Sequence, residues 1–462
     1  MQMKRKEFII MSSEVQQENK MGVLPVPKLL FQMALPVIIS MLVQALYNVV
    51  DSMFVARINE NALTAVSLVF PVQNLLIAVS AGTGVGINAL LSRCLGAREF
   101  KRANAAALNG IFLAILSSLV FAVVGVLAAD PFFTFQTTDP EIHKFGVQYM
   151  VVICALCVGI FMQITFERLL QSTGKTLFIM ISQGTGAIIN IIFDPILIFG
   201  LFGFPKMGAI GAAVATVAGQ LCGMLLGLIF NLKFNHELHL SLKGFRPDLS
   251  IIKGIYVVGI PSIIMQAIGS VMTFGMNKIL MQFTSTAAAV FGVYFKLNSF
   301  VFMPIFGLNN AMVPIVAYNY GARQKKRITH TVRLSIITAI CFMLAGVACF
   351  LFIPGTLLGI FDASENMLSI GIPALRIICI SFFFAGPSII LSSVFQALGN
   401  GLYSLWVSFA RQIVIILPAA YLLAKFSGLG AVWWSIPIAE VISLVLTLLL
   451  FRRICRTKLD RL

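Results

Sequence analysis

Charged residues are scarce in this sequence. Only 11% of its 462 residues are Asp, Glu, Lys or Arg, and 59% are hydrophobic. Soluble domains carry about 25% charged residues, so the composition excludes an ordinary soluble protein. Acidic residues are fewer than basic residues, 17 against 33. Any acid inside an apolar segment therefore needs a physical explanation.

The sequence also lacks the motifs of enzymes and nucleotide-binding proteins. All four histidines lie in loops or at the ends of apolar segments, so no histidine or serine constellation indicates a membrane-embedded enzyme. The Gly-rich run at 82–86 has the wrong spacing for a dinucleotide site, and its small residues favour close helix packing. The run at 171–176 ends like a phosphate loop, but Leu169 occupies a position that needs glycine. We expect no catalysis, no cofactor and no use of ATP.

Signs of secretion are missing as well. Residues 1–28 are polar and basic, and no short apolar run with a small-residue cleavage site follows them. The first membrane span is therefore expected to direct the chain to the membrane. None of the eight cysteines lies in an expected outer loop, so no disulfide framework is expected.

Twelve apolar runs alternate with polar segments, and each is long enough to cross roughly 30 Å of hydrocarbon as a helix. They cover about 29–55, 61–91, 103–128, 145–170, 176–200, 207–232, 251–283, 286–316, 330–353, 367–395, 402–424 and 428–453. The sequence therefore predicts an all-α polytopic membrane protein with twelve transmembrane helices.

The basic residues indicate the orientation of these spans. With the N-terminus inside, 25 Lys and Arg residues lie in inner segments, and the outer loops hold only four. Such a bias places both termini in the cytoplasm, and we expect a multi-pass protein of the cell membrane. The net charge of +16 then reflects topology, and no nucleic-acid partner is expected.

The chain repeats itself at a spacing of 225 residues. Pro36 in the first span corresponds to Pro261 in the seventh, and Gly96-Ala97-Arg98 corresponds to Gly321-Ala322-Arg323. Each repeat holds six spans, an even number, so both halves enter the membrane with the same orientation. Their pseudo-two-fold axis then runs along the membrane normal.

We therefore predict two six-helix bundles that face each other across a cleft. The predicted division is a tail at 1–28, a bundle at 29–232, a linker at 233–250, a bundle at 251–453 and a tail at 454–462. Rocking of one bundle against the other gives alternating access to a central substrate site. The expected unit is a monomer.

Two acids lie within apolar spans of the first half. Asp194 follows Asn190 by four residues, so a helix places both side chains on one face, and Pro195 loosens the backbone just beyond. A charge at a helix centre in the membrane costs roughly 2.5–3.5 kcal/mol, which favours a function for these acids. The first span carries a polar stripe at helical spacing. It consists of Gln44, Tyr47, Asn48 and Asp51.

Asp51 and Asp194 are expected at a common depth. Asp194 lies about 18 residues into its span, roughly 27 Å of helix, and Asp51 is similarly late in the outward-running first span. Thr216 enters from the outside on the sixth span and reaches a comparable level. Carboxylate, amide and hydroxyl oxygens suit alkali or alkaline-earth cations, and two close carboxyl groups equally suit a proton. The residues leave this alternative open.

Several other polar residues have two interpretations. Gln44, Tyr47 and Asn48 serve either as hydrogen-bonding contacts between helices or as the lining of a cavity. Glu167 is either an interfacial charge beside Arg168 or a carboxylate at the inner mouth that meets cationic substrates. In the second half, Glu440 is expected to pair with a mid-depth base, and the alternative is a basic patch for an anionic group. The mid-depth bases are Lys296, Arg376 and Arg411.

At this point the chain resembles the multidrug and toxic compound extrusion (MATE) family, and within it the MepA-like bacterial exporters. The resemblance extends from about residue 25 to 455 and rests on five motifs. These are Ala34-Leu35-Pro36, Asn48 to Val55, Leu95-Gly96-Ala97-Arg98, Gln171 to Lys175 and Asn190 to Pro195. It implies a V-shaped pair of bundles and export of amphipathic, often cationic drugs by Na⁺ or H⁺ antiport.

The resemblance also implies roles for individual residues. Asp51, Asn190, Asp194 and Thr216 look like the cation site of the family, and Glu167 and Asp194 look like an acidic pair tied to drug transport. A family branch that uses carboxylates in the second bundle is a poorer match, because the seventh span here offers Met276-Asn277-Lys278.

The sequence thus predicts a cation-coupled exporter of small drugs or toxins in the lipid bilayer, with Na⁺ or H⁺ as the coupling ion. A flippase for lipid-linked saccharides or another amphipathic lipid is the alternative, since Lys296, Arg376 and Arg411 would suit an anionic substrate.

Overall fold

The computed structural model describes residues 19–58, 60–241, 243–361 and 363–462. Helices dominate this part of the chain, and it contains no strand. Most of the predicted tail at 1–28 lies outside the described residues.

The first half consists of one helical turn and seven longer helices. They are α1 (Lys20–Val23), α2 (Val26–Ala56), α3 (Glu60–Gly96), α4 (Phe100–Gln136), α5 (Pro140–Ala155), α6 (Val158–Ser172), α7 (Thr176–Phe199) and α8 (Ala209–Phe234). Helices α5 and α6 meet at an angle of 43° and together form one broken span. A 3₁₀ turn at Leu201–Gly203 follows α7.

The second half repeats this pattern with more interruptions. Its helices are α9 (Leu249–Leu280), α10 (Ser285–Gly321), α11 (Lys325–Phe352), α12 (Pro354–Gly359), α13 (Glu365–Ile378), α14 (Ile380–Ala397), α15 (Gly401–Phe409), α16 (Leu417–Ser427), α17 (Leu429–Val432) and α18 (Ser435–Ile454). A π-helical turn at Ala410–Ile416 joins α15 to α16, and another at Cys455–Leu459 follows α18.

Eleven helical segments of the described chain are long and apolar enough to cross a membrane, and the broken pair of α5 and α6 makes a twelfth. The prediction of an all-α, twelve-span membrane protein is confirmed. Several helices are longer than the apolar runs that predict them. For example, α3 continues past Arg93 to Gly96, because its backbone hydrogen bonds continue beyond the apolar segment.

Both ends of the described chain lie on one side of the molecule. Asn19 donates a hydrogen bond to the carbonyl of Thr173, 3.3 Å away, and Lys325 pairs with Asp460 at 2.9 Å. We call this the termini side and the opposite one the far side. The loops after α3, α6, α10 and α14 all reach the termini side.

The two halves meet through pairs of contacts that are related by the repeat. A Cβ atom added to Gly82 of α3 would lie 2.8 Å from the backbone nitrogen of Ile263 in α9. In the related contact, a Cβ on Gly307 of α10 would lie 3.0 Å from the Cα of Ile38 in α2. The 225-residue spacing converts the first pair into the second. The pseudo-two-fold relation predicted from the sequence is therefore present in the packing.

Nearer the termini side the same relation recurs. A Cβ on Gly96 would overlap the carbonyl oxygen of Tyr318, and a Cβ on Gly321 would overlap that of Arg93. Only glycine allows two backbones to approach so closely. The packed region between the halves thus extends from the middle of α3 to its end on the termini side.

Four spans end on the termini side in the same hydrogen-bonded turn, in which one residue adopts a left-handed conformation. Glycine occupies this position after α6 and α14, at Gly174 (φ 81°) and Gly399 (φ 77°). Arginine occupies it after α3 and α10, at Arg98 (φ 59°) and Arg323 (φ 56°). A non-glycine residue in this conformation costs roughly 1–2 kcal/mol.

Each half has its own apolar core, but the starts of α2 and α9 pack in the core of the opposite half. Ile251 and Ile255, at the start of α9, belong to the core of the first half. Leu29 and Met33, at the start of α2, belong to the core of the second half, whereas Val55 near its end belongs to the core of the first. The sequence predicts the first span as part of the 29–232 bundle, yet this helix packs in the cores of both halves.

The segment between the halves lies against the first bundle. Helix α8 ends at Phe234 and α9 begins at Leu249. The His239 N–H donates to Asn104 Oδ1 at 2.9 Å, and the Asp248 N–H donates to Asn109 Oδ1 at 3.0 Å. These bonds tie the described part of the segment to α4.

The glycine contact between the halves generates a stability prediction. Gly96→Ala is expected to lower the free energy of unfolding by about 1–3 kcal/mol, because its Cβ would overlap the Tyr318 carbonyl oxygen. Gly184→Ala is the matched control, since no atom lies within 4 Å of its added Cβ. Thermal unfolding of the purified protein in detergent measures both. Equal effects would contradict this account of the interface.

Candidate functional site

Glycines bring the helices of the candidate site together. Asn190 and Asp194 lie on one face of α7, and Thr216 lies on α8. A Cβ on Gly186 would lie 2.8 Å from the carbonyl oxygen of Gly219, so α7 and α8 approach almost backbone to backbone. This approach places a hydroxyl of α8 within reach of the polar face of α7.

The amide of Asn190 connects the two helices. In the orientation that satisfies both its groups, its nitrogen donates to Asp194 Oδ2 at 3.1 Å. Its oxygen accepts from the hydroxyl of Thr216 at 3.3 Å and from the Thr216 N–H at 3.1 Å. Asn190 is 2% exposed and Asp194 is fully buried. The carboxyl group of Asp194 is thus held in a fixed position.

The second carboxyl group comes from α2. The side chains of Asp51 and Asp194 lie within hydrogen-bonding reach of each other. Oδ1 of each carboxyl group is buried and has no hydrogen-bond partner among the described residues. The structure therefore brings together all four residues of the predicted cation site.

This arrangement has a definite chemical capacity. Two ionised carboxylates only accept hydrogen bonds, so direct bonding between them requires a proton. When both are ionised, their free oxygens, together with those of Asn190 and Thr216, are hard donors that suit a small cation. No group of three His, Cys, Asp or Glu side chains suited to a metal occurs in the described chain. The residues fit a proton or a monovalent cation.

One residue beside the acids was not anticipated from the sequence. Tyr149 of α5 is 1% exposed and lies close enough to Asp51 and Asp194 to interact with them electrostatically. Its hydroxyl accepts a hydrogen bond from Gln73 Nε2 at 3.3 Å. A single Tyr in an apolar run gives no signal of this position, because only the packing of α5 against α3 creates it.

The polar stripe of α2 divides into two groups. Tyr47 lies near Asp51 and Asp194. The residues Gln44 and Asn48 are exposed on the surface of the helix. Tyr47 therefore belongs to the surroundings of the acids, whereas a substrate contact by Gln44 or Asn48 stays a prediction.

Glu167 lies apart from the two acids. It is 5% exposed, and its oxygens accept hydrogen bonds from Gln163 at 2.9 Å and Gln183 at 2.7 Å. Gln183 and Asp194 are eleven residues apart on α7, about 16 Å of helix. Glu167 is thus a buried carboxyl group held by amides, and the interpretation as an interfacial charge is wrong.

Its neighbour Arg168 connects the two halves. The guanidinium donates to Gln171 Oε1 at 2.6 Å and to Asn310 Oδ1 of α10 at 3.1 Å. Gln171 in turn donates to the carbonyl of Asn310. This hydrogen-bonded bridge crosses from α6 to the second bundle within the packed region near the termini side.

The charges of the second half are dispersed. Arg411 pairs with Glu440 at 3.1 Å, as the ion-pair interpretation expects. Lys296 lies 5.7 Å from the ring centre of Phe361, and Arg376 donates to the carbonyl of Leu351 at 3.3 Å. The three bases have different partners and form no common anion site.

The two segments of the repeat match one family model. The MatE model matches residues 36–196 and again 261–422, two segments that begin 225 residues apart. Together they cover more than two thirds of the chain. The chain belongs to the MatE family. The sequence resemblance is therefore confirmed.

Relatives of this MatE chain include named multidrug transporters. The multidrug export protein MepA of Staphylococcus haemolyticus is 25% identical over 90% of this chain and 91% of its own length. The probable multidrug resistance protein NorM of Thermotoga maritima is 29% identical over 90% of this chain and 89% of its own length. Members of the family are transporters, and the chain is a multi-pass membrane protein.

Solved structures of transporters share the fold. An outward-facing multidrug resistance MATE transporter has a TM-score of 0.90 at 25% identity, over 97% of this chain and 99% of that one. A transporter of the MOP superfamily from Pyrococcus furiosus has a TM-score of 0.88 at 26% identity, over 95% and 98%. The two-bundle architecture of the MatE chain is thus shared along its length.

The buried ion pair of the second half generates a further stability prediction. Arg411→Leu is expected to destabilise the protein by about 3–5 kcal/mol, because Glu440 then keeps a buried charge without a partner. The double variant Arg411→Leu/Glu440→Leu is expected to recover most of this loss. Thermal unfolding of the wild type, of Arg411→Leu, of Glu440→Leu and of the double variant provides a double-mutant cycle. Additive losses would show that the two side chains do not stabilise each other.

Proposed function

We propose that this protein exports amphipathic, often cationic small molecules, driven by the entry of Na⁺ or H⁺. The contact between Asp51 and Asp194 carries the proposal, because two adjacent acids in an apolar bundle are costly unless they exchange a cation. The named multidrug exporters among the relatives support the substrate class. We further propose that the protein acts as a monomer in the cell membrane.

The termini side is proposed to face the cytoplasm, as the excess of basic residues on that side supports. The contacts between the halves then close the cytoplasmic end. Gln266 donates to the carbonyl of Ala78 at 3.5 Å, and the contacts at Gly82 and Gly96 lie further toward the termini side. The part of α3 before Ala78 extends from this region toward the far side. A cleft open to the far side, hence to the outside, accords with this packing.

The proposed cycle starts from this form. A cation from outside reaches the acids and removes one negative charge from the pair, which relieves the repulsion between the two carboxyl groups. Helix α2 then adjusts near Pro36, drug leaves the narrowing cleft, and rocking of the bundles releases the cation to the cytoplasm. One charge moving down 100 mV supplies about 2.3 kcal/mol, which sustains a gradient of about 50-fold for an uncharged drug.

The direct contact between the two carboxyl groups favours a proton as the ion held in this form. A bound Na⁺ would instead require the groups to separate and turn their free oxygens toward it. Thr216 and Asn190 already converge on Asp194 and would complete such a site. Proton coupling is therefore the first expectation, with Na⁺ coupling as the alternative.

Neutralising either acid tests the proposal. Asp51→Asn or Asp194→Asn is expected to abolish ion-driven ethidium efflux from vesicles while the protein remains in the membrane, because the remaining carboxyl group has lost the neighbouring charge that makes the pair bind a cation. Asp130→Asn is the matched control, since this carboxyl side chain is 75% exposed and lies outside the site. Unchanged efflux in both site variants would contradict the proposal.

Imposed gradients identify the coupling ion. Vesicles of one orientation receive either a pH gradient without Na⁺ or a Na⁺ gradient at constant pH, and dye movement is recorded. Efflux driven by the pH gradient alone is expected from the carboxyl contact. Efflux driven by Na⁺ alone would contradict proton coupling and support the alternative.

The flippase alternative is not favoured. It needs a basic region that meets an anionic group, but Lys296, Arg376 and Arg411 have separate partners in the second bundle. The named relatives are drug exporters.

A further inference from the structure

The described chain begins with a short segment that lies between the two halves on the termini side. This segment, residues 19–24, contains the single helical turn α1, and we call it the strap. The side chain of Asn19 accepts a hydrogen bond from the Met21 N–H at 2.8 Å, which caps the turn. Met21 is fully buried and belongs to the apolar core of the second half. The strap is therefore packed into the molecule.

The second half binds the backbone of the strap. The guanidinium of Arg327 in α11 donates to the carbonyls of Met21 and Leu24, at 2.9 and 2.8 Å. The amide of Asn319 in α10 donates to the same Met21 carbonyl at 3.1 Å, and its oxygen accepts from Arg327 Nε at 3.1 Å. Carbonyls at the end of so short a helix lack partners within it, so these bonds satisfy groups that would otherwise be costly to bury.

The first half binds the side chain of Asn19. Its amide nitrogen donates to the carbonyl of Thr173, in the turn between α6 and α7, at 3.3 Å, and also to a carboxylate oxygen of Glu237. The stem of Lys20 lies against the same turn, since a Cβ on Gly174 would lie 2.8 Å from Lys20 Cε. The strap is thus in contact with both halves.

The contacts with the two halves are unequal. Three hydrogen bonds from Arg327 and Asn319 hold the strap on the second half, together with the buried side chain of Met21. The strap also leads directly into the start of α2, which packs in the same core. Both described hydrogen bonds to the first half come from Asn19. If the halves separate here, we expect the strap to stay with the second half.

The repeat provides a comparison for the residues that bind the strap. Arg327 corresponds to Arg102, which pairs with Glu99 of its own half at 3.3 Å. Asn319 corresponds to Cys94, a buried thiol. The same guanidinium therefore has a carboxylate partner in one half and the carbonyls of the strap in the other. A general excess of basic residues on this side does not explain the second arrangement, because it depends on the carbonyls that the strap presents.

We propose that the strap holds the two bundles together on the termini side, and that Asn19 must release the first half before this side opens. The hydrogen bonds of Asn19 to the first half exist only while the halves are in contact. Contacts made in one form of a protein stabilise that form relative to the others. The requirement for release during transport rests on the proposed cycle, whereas the holding of the bundles does not.

Asn19→Asp tests the strap without removing its cap. The new side chain still caps α1 with a carboxylate oxygen, but it cannot donate to the Thr173 carbonyl, and it repels Glu237. Asn104→Asp is the matched control. It introduces the same charge on the termini side and keeps the oxygen that accepts from the His239 N–H, a bond that does not cross between the bundles.

Distances between spin labels report the opening. The labels are attached at Lys101→Cys and Lys326→Cys, exposed positions related by the repeat at the starts of α4 and α11. The full chain is reconstituted in nanodiscs, with serine in place of the four cysteines that are not buried, namely Cys222, Cys341, Cys349 and Cys455. Double electron–electron resonance then measures the ratio of long to short distances on the termini side.

Asn19→Asp is expected to raise this ratio about tenfold, because two hydrogen bonds of the closed form are lost. Asn104→Asp is expected to leave it unchanged. A second pair of variants tests the other end of the strap: Arg327→Gln is expected to raise the ratio, and the repeat-related Arg102→Gln is not. Unchanged distances in both strap variants, or equal increases in variants and controls, would overturn the proposal.

A cross-link tests the requirement for release. A short bismaleimide joins Asn19→Cys to Glu237→Cys, which connects the strap to the first half, since Leu238 beside Glu237 packs in the core of that half. Linking Asn104→Cys to His239→Cys within the first half is the control. The first cross-link is expected to stop dye efflux from vesicles and the second to leave it intact.

Efflux that continues with Asn19 linked to the first half would overturn the requirement for release. Wild-type protein that moves no dye would contradict the transport proposal instead, because the spin-label distances still decide whether the strap holds the bundles together. A failure of one proposal is therefore distinguishable from a failure of the other.

Discussion

The contact between the carboxyl groups of Asp51 and Asp194 imposes the main constraint on the first bundle. Two acids side by side in a low-dielectric interior repel each other when both are ionised, so the site is stable only with a positive partner, be it a proton or a metal cation. The surrounding residues hold the two carboxyl groups in the positions that such a partner needs. Glycines let α7 and α8 approach, Asn190 fixes one carboxyl group, and Thr216 fixes the amide.

The fold follows from two sequence patterns that act at long range. Apolar runs of membrane length predict the spans, and the 225-residue spacing predicts a pseudo-two-fold relation between the halves. The interruptions were not predictable. The break between α5 and α6 and the π-helical turn at Ala410–Ile416 occur in segments as apolar as their neighbours, so packing rather than composition determines them.

The part of the candidate site that depends on helical spacing and on depth in the membrane was predictable from the sequence. Asn190 and Asp194 share a face by their spacing, and the direction of each span places Asp51 at the same level. Tyr149 was not predictable, since its position depends on how a broken span packs. Glu167 and Arg168 show a second limit: successive residues on a helix point about 100° apart, so adjacent opposite charges need not pair with each other.

The packing of α2 has a mechanical consequence. Its start lies in the core of the second half and its end in the core of the first, so this helix is anchored in both bodies, and Pro36 lies between the anchors. A change of angle between the halves has to deform it, since neither anchor can move freely with the other. In the proposed cycle, the helix that carries Asp51 bends as the angle between the bundles changes, so a large movement of the bundles becomes a small displacement of one carboxyl group.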